Sequence, residues 1–240
     1  MVGIAGGAPT SHNDVRLGDV VVSVPGGKLG GVVQLDSVKR HKLPNGQLDL
    51  ERIGQMNSPP RVLLGALPEI RRRYNNPKEP DRIAEHMARM QDWPDFQRPT
   101  DDHLYRADYA HRGAQNCYDC EDTGLEIRPQ RKTNRAVVVH YGTIGTSNSL
   151  MKNVDERNDY AIDPVLRVLC FEMEAGGLMN TFPCLVIRGI CDYCDSHKND
   201  EWHKYAALAA AAYARELLRV LRPEKVNTQP AWTRVLDKSK

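Results

Sequence analysis

Residues 171–195 read F-E-M-E-A-G-G-L-M-N-T-F-P-C-L-V-I-R-G-I-C-D-Y-C-D. Two acids, Glu172 and Glu174, stand at the mouth of a helix-like run. A short apolar strand is expected over 183–190, and Arg188, Asp192 and Asp195 cluster at its end. Ligands of open α/β sheets sit beyond the carboxyl ends of strands. Four carboxylates and one arginine therefore converge where a buried site is expected. An acid that hands on a proton near neutral pH needs a raised affinity for it, and burial or a second carboxylate such as Asp195 supplies that.

Other residues invite competing readings. Met1 to Ala8, M-V-G-I-A-G-G-A, reads as an apolar strand running into a glycine turn that lets backbone approach a ligand or a neighbouring strand. It is not a G-x-G-x-x-G fingerprint, and no partner acid follows about 20 residues on. His140, at the end of A-V-V-V-H, is a candidate base, but histidines at such positions are more often packed or hydrogen-bonded. Two C-x-x-C pairs, Cys117/Cys120 and Cys191/Cys194, have zinc-ligand spacing. The long gap between them, and the place of the second inside the strand-end segment, weigh against one shared metal. Arg71, Arg72 and Arg73 read as a solvated helix end rather than a phosphate clamp.

The positioning elements follow from the pattern. A turn feeding a β-branched strand is expected over 15–23, and strands over 32–35, 136–140 and 165–172. Helices are expected over 59–74 (divided at Pro68), 83–90 and 149–158, and as an Ala-rich helix over 201–221 capped by Asp200. Residues 141–148 read as a polar, glycine-containing turn. Residues 75–133 are polar and punctuated by proline, an irregular insertion expected to be the least ordered part. One domain over 1–223 with a polar tail over 224–240 results. Strands alternating with helices give an α/β class with a central, largely parallel mixed sheet, read as three layers, α/β/α.

Composition narrows the class. Forty per cent hydrophobic and 27% charged residues fit a globular domain. A net charge of +2 without a basic stripe argues against nucleic acid as the main partner. No run approaches the roughly 20 apolar residues of a membrane span, and no signal-peptide pattern opens the chain. Reduced thiols and a cytoplasmic setting are expected.

F-E-M-E-A-G-G followed by V-I-R-G-I-C-D resembles the nucleoside phosphorylase/nucleosidase superfamily, which includes purine and uridine phosphorylases and the methylthioadenosine/S-adenosylhomocysteine nucleosidases. D-V-R-L-G-D-V-V-V-S, H-Y-G-T-I and C-L-V-I-R-G-I-C-D-Y extend the likeness over nearly the whole chain to Leu221. It is similar above all to fungal versions found in ankyrin-repeat and NACHT-containing proteins. The resemblance implies cleavage of the N-glycosidic bond of a purine nucleoside or nucleotide, with water or phosphate as nucleophile and no metal or organic cofactor. It implies Asp192 as general acid to the base, Glu174 on the ribose hydroxyls, and Arg188 supporting the acidic end. Glu172 and Met173 are expected beside the sugar, and Thr146, Ser147, Asn148 and Leu150 along the base. Gly3, Gly6 and Gly7 are expected as a turn near the ribose. A homo-oligomer is implied by analogy. A binding or sensing module that keeps the pocket without turnover is the alternative.

The chain departs from the family pattern in four places. Ser147 stands for a glycine, Cys194 and Gly176 each stand for an alanine, and about two strands that precede the glycine turn in the family are not in this chain. Those strands carry the first phosphate loop and, in the nucleosidases, an acid that activates water. An unpaired sheet edge is expected in consequence.

Overall fold

The computed structural model describes residues 1–42, 48–52, 54–113 and 116–227. Its core is one mixed sheet built from six strands: β1 (Val2–Gly7), β2 (Val20–Ser23), β3 (Val32–Gln34), β6 (Val139–Thr146), β7 (Val168–Glu172) and β8 (Ile187–Asp192). The order is β2-β8-β1-β7-β6-β3, and β2 also pairs with β6, so five strands close into a ring with β3 outside. Four pairings are parallel (β1–β8, β2–β6, β3–β6, β6–β7) and two antiparallel (β1–β7, β2–β8). The largely parallel, mixed character therefore holds, whereas the three-layer open sheet does not.

Closure rests on β6. Its first half, Val139 to Gly142, pairs with β2, and its second half, Thr143 to Thr146, with β3 and β7. Residues 141–146, expected as a turn, are thus strand. Their glycines are filled by neighbours rather than exposed: a Cβ on Gly142 would lie 2.8 Å from Leu169, and one on Gly145 2.9 Å from Leu35. The open edge expected of the sheet is closed between β2 and β6, which removes unpaired backbone groups there. A separate hairpin, β4 (Val38–Lys42) with β5 (Leu48–Arg52), lies off the ring.

The helices are α1 (Arg61–Leu64), α2 (Leu67–Asn75), α3 (Arg82–Met87), α4 (Val154–Ile162), α5 (Ala175–Leu178), α6 (His203–Val220) and α7 (Pro223–Asn227). Pro68 divides α1 from α2 as expected, standing where a proline's missing N–H costs nothing. α4 begins later than the pattern suggested because the Asn153 side chain accepts from Asp155 N and Glu156 N. The Asp200 side chain does not cap α6, although its carbonyl takes the His203 amide at 3.1 Å. The alanines of α6 allow close packing on β8, where the Ala206 carbonyl sits only 1.9 Å from where a Gly189 Cβ would be. No described helix is long and apolar enough to cross a membrane. Within the expected tail, residues 228–240 lie outside the described residues.

The insertion over 75–133 is irregular, with α3 and short 3₁₀ turns, yet its second half is anchored. Trp202 Nε1 donates to Asp101 O at 3.1 Å, and Asp102 pairs with Arg128 at 2.8 Å and accepts from the Tyr193 hydroxyl. Arg131 clasps Asp19. Asp102, Arg128 and Arg131 thus tie this part to Tyr193 and Asp19 beside the end of β8, while Arg106, Arg112 and Glu121 face solvent.

Candidate functional site

The end of β8 carries two charged centres. Arg188 and Asp192 stand four residues apart on β8, with the extra residue Cys191 interrupting the alternation of faces between them. Each lies across a glycine of β1. A Cβ on Gly3 would lie 2.0 Å from Arg188 Nη1, and one on Gly6 2.5 Å from Asp192 Oδ1. The register sets Gly3 opposite Arg188 and Gly6 opposite Asp192, with a shift between Ala5 and Gly6. That irregularity leaves Cys191 without a partner on β1, so Asp192 meets Gly6, a glycine of opposite parity to Gly3. The two centres are therefore about 10 Å apart along β1, at about 3.3 Å per residue.

In the first centre the buried Arg188 guanidinium binds both acids of the F-E-M-E run. Its Nη2 meets Glu172 Oε2 in a close contact and Glu174 Oε2 at 2.8 Å. The Glu172 side chain is wholly buried and also accepts from Glu174 N at 3.1 Å and Ala175 N at 3.0 Å. These amides open α5, so the strand-to-helix turn is closed by the acid that ends β7. Glu174 differs: its side chain is 59% exposed, with Oε2 on Arg188. Met173 is exposed beside it. Arg188 Nε is buried without a hydrogen-bond partner.

In the second centre Asp192 is buried. Oδ1 accepts from Cys194 N at 2.8 Å, and Oδ2 pairs with Lys198 Nζ at 2.9 Å. Cys194 adopts a left-handed conformation, φ 54°, which turns its amide back onto Asp192. Burial works against the Lys198 ammonium, but Asp192 outweighs it and leaves the group above its ordinary value. Burial pushes Asp195 up, opposed by the His197 amide, the His197 ring and Arg157. The sequence paired Asp192 with Asp195; the group within bonding distance of Asp192 is an ammonium instead. Arg157, buried on α4, holds the same turn by donating to Tyr193 O at 2.7 Å.

The remaining expected residues divide. Ser147 N donates to Glu172 O at 3.2 Å, and Thr146 Oγ1 accepts from Gly176 N at 3.1 Å, so both adjoin the first centre. Asn148 turns away, its amide and side chain on Asp36 Oδ2 at 2.8 Å. Leu150 is exposed. Gly7 serves packing: a Cβ there would meet Ile190 at 2.9 Å and Val15 at 3.2 Å. Gly3, Gly6 and Gly7 belong to β1 rather than to a turn. His140 is committed to Asp19 at 2.9 Å, the packed role expected of it.

A cleft of about 110 Å³ opens beside Asp192, between Lys198, Tyr193 and Trp202 on one side and Asp101, His103 and Tyr105 on the other. Arg188, Glu172 and Glu174 do not line it. Lys198 went unnoticed in the sequence because nothing periodic links it to Asp192, and only the left-handed turn at Cys194 folds it back. Its one signal was position, a lone lysine just past the acids of a strand end.

No family model matches the chain. It is 39% identical over 230 residues to a nucleotide-binding leucine-rich repeat (NLR)-like protein of Hyaloscypha variabilis, a match covering 93% of this chain and 22% of the relative. The chain thus spans about a fifth of that protein's length. Among solved structures it is similar to a 5′-methylthioadenosine/S-adenosylhomocysteine nucleosidase of Neisseria meningitidis bound to methylthio-immucillin-A. That match has TM-score 0.45 and 15% identity, covering 92% of this chain and 68% of that one. It is similar to the futalosine hydrolase of Helicobacter pylori at TM-score 0.43 and 14% identity, covering 91% and 66%. The functional case therefore rests on the chemistry of the two centres.

Proposed function

We propose that this chain cleaves the N-glycosidic bond of a purine nucleoside or nucleotide. The observation carrying the reading is that Arg188 and Asp192 each lie over a β1 glycine near the end of β8, the first bound by two carboxylates and the second by an ammonium. As the bond breaks, its electron pair leaves with the base and positive charge builds on the sugar. Asp192 relays a proton to the departing base: Lys198 Nζ, 2.9 Å from Oδ2, supplies it through the carboxyl and is left as the neutral amine until solvent reprotonates it. General acid catalysis of this kind supplies on the order of 10²–10⁴-fold. Glu174, exposed and oriented by Arg188, accepts from the sugar hydroxyls and fixes the ring for attack. Water or phosphate adds to the anomeric carbon and its proton passes to solvent. The test is free-base release from adenosine, inosine, methylthioadenosine and ATP, with and without phosphate. Asp192→Asn is expected to lose two to four orders of magnitude, about the general-acid contribution. No release by the wild type, or full activity in the variant, refutes the mechanism.

A second reading is a nucleoside- or nucleotide-binding module without turnover, within a longer NLR-like protein. The lining of the cleft favours it, since Arg188 and Glu174 do not reach the space beside Asp192 and the two centres need not act on one bond. Calorimetric binding without product selects it, and absence of binding removes it.

A further inference from the structure

We propose that the insertion carries a zinc site formed by His111, Cys117 and Cys120, with His197 closing the fourth position. One ring nitrogen of His111 and the two thiol sulfurs lie within 4.8 Å of one another. Tetrahedral zinc at ordinary bond lengths sets S···S at about 3.8 Å and S···N at about 3.5 Å, so closure by about 1 Å brings these three into place, and the His197 ring, outside the 4.8 Å group, swings in to take the fourth position.

Three details around the cluster suit a metal rather than a disulfide or a bare thiol pair. Arg112 N points at Cys120 Sγ, 3.4 Å away, a backbone donor of the kind that supports a thiolate. His111 Nε2 lies 3.0 Å from Asn116 O; as a donor there it leaves the other ring nitrogen its lone pair, the usual outer partner of a metal-bound histidine. The third detail is independent of the cluster. His197 is 8% exposed, and its Nε2 is buried with no hydrogen-bond partner. A buried imidazole nitrogen without a partner is costly unless something binds it. The His197 ring packs edge-on to His111 at 5.2 Å between centroids, and its carbonyl takes the Cys117 thiol at 3.6 Å. Stacking on Tyr105 at 4.0 Å fixes the plane of the ring.

The other C-x-x-C pair does not compete. Cys191, Asp192 and His203 also gather within 4.8 Å, but Lys198 Nζ stands 2.9 Å from Asp192 and supplies the positive charge there. Cys194 is buried away in the second hydrophobic cluster, with Phe171 and Val168. Two thiolates balance one divalent ion, so the site is neutral overall. It ties residues 111–120 to the turn that delivers Lys198 to Asp192, one residue beyond His197. The metal is thus structural, holding the wall of the cleft.

The experiment uses the whole chain, purified reduced and without chelators. About one zinc per chain is expected by elemental analysis. Replacement by Co²⁺ is expected to give the visible bands of a tetrahedral ion with thiolate charge transfer. Cys117→Ser and Cys120→Ser lose both signals. His197→Ala weakens zinc at least about tenfold in competition with a chromophoric chelator, since even outer partners cost that much. Should the cysteine variants fail to fold, the cobalt spectrum of the wild type decides by itself. Reduced wild type that carries no stoichiometric zinc and gives no such spectrum overturns the site. Unchanged affinity in His197→Ala removes the fourth ligand. Metal content is read without substrate, so this result and that of base release stand apart.

Discussion

Replacing Arg188 with methionine tests the first centre, because two acids share one guanidinium nitrogen at opposite exposures. Glu172 is wholly buried and Glu174 is 59% exposed, and both meet Nη2. Removing one partner of a buried pair costs about 3–5 kcal/mol, because the remaining charge has no solvent to turn to. Glu172 keeps the amides of Glu174 and Ala175, so the lower end, about 3 kcal/mol, applies. For a domain of this size that is a fall in melting temperature of about 6–12 °C. Glu174→Gln, which breaks the exposed half of the same arrangement, costs less than about 1 kcal/mol. The assay is urea unfolding followed by the fluorescence of the three tryptophans, checked by thermal melts. Arg188→Met combined with Glu172→Gln should recover at least about 1 kcal/mol relative to the sum of the single changes. If Arg188→Met costs under about 1 kcal/mol, or if Glu174→Gln costs as much, burial is not what governs this centre.

Asp19 gives a pH dependence. Burial would raise its carboxyl, but Arg131 and His140 outweigh that and hold it below the ordinary value. A lowered folded value stabilises above the unfolded one, near 4, and the gain disappears as pH falls through the folded value. Stability should be level above about pH 5 and fall below about pH 4, less steeply in Asp19→Asn, by urea midpoints across pH. Lys198→Met leaves the Asp192 charge buried and should cost up to about 3 kcal/mol, largely restored when Asp192→Asn is added, by the same assay. Gly189→Ala drives a Cβ into the Ala206 carbonyl and should cost about 3 kcal/mol, whereas Gly177→Ala, with open space around its Cβ, should be neutral or stabilising in thermal melts.

Local patterns carried much of the fold into the sequence. The Pro68 break, the strands at β2, β3 and β7, and the Ala-rich α6 are each set by neighbours within a turn or two, and each is found close to where the pattern put it. Ring closure was not legible, because it depends on β6 changing partners at Gly142, and a glycine-rich stretch reads as a turn until Leu169 and Leu35 are seen filling it. The acids and Arg188 were legible as types and places. Their division into two centres was not, since it follows from the irregularity between Ala5 and Gly6, which depends on β8 as much as on β1. The insertion misled for a related reason: polar side chains signal solvent, and here Asp102, Arg128 and Arg131 are spent on Tyr193 and Asp19 instead.

These facts bear on how the two centres could act on one molecule. The separation of about 10 Å along β1 is set by strand rise and is not adjustable by side-chain rotation. The cleft at Asp192 is bounded by the insertion, and the space over the β1 glycines is taken by the Arg188, Asp192 and Cys194 side chains themselves. A methyl group at Gly6 would meet Cys194 Sγ at 2.1 Å as well as Asp192, displacing the turn that positions Lys198. The glycines thereby make room for two side chains, Arg188 over Gly3 and Asp192 over Gly6. That double demand explains why small residues sit in the middle of a strand that would otherwise be stabilised by larger ones.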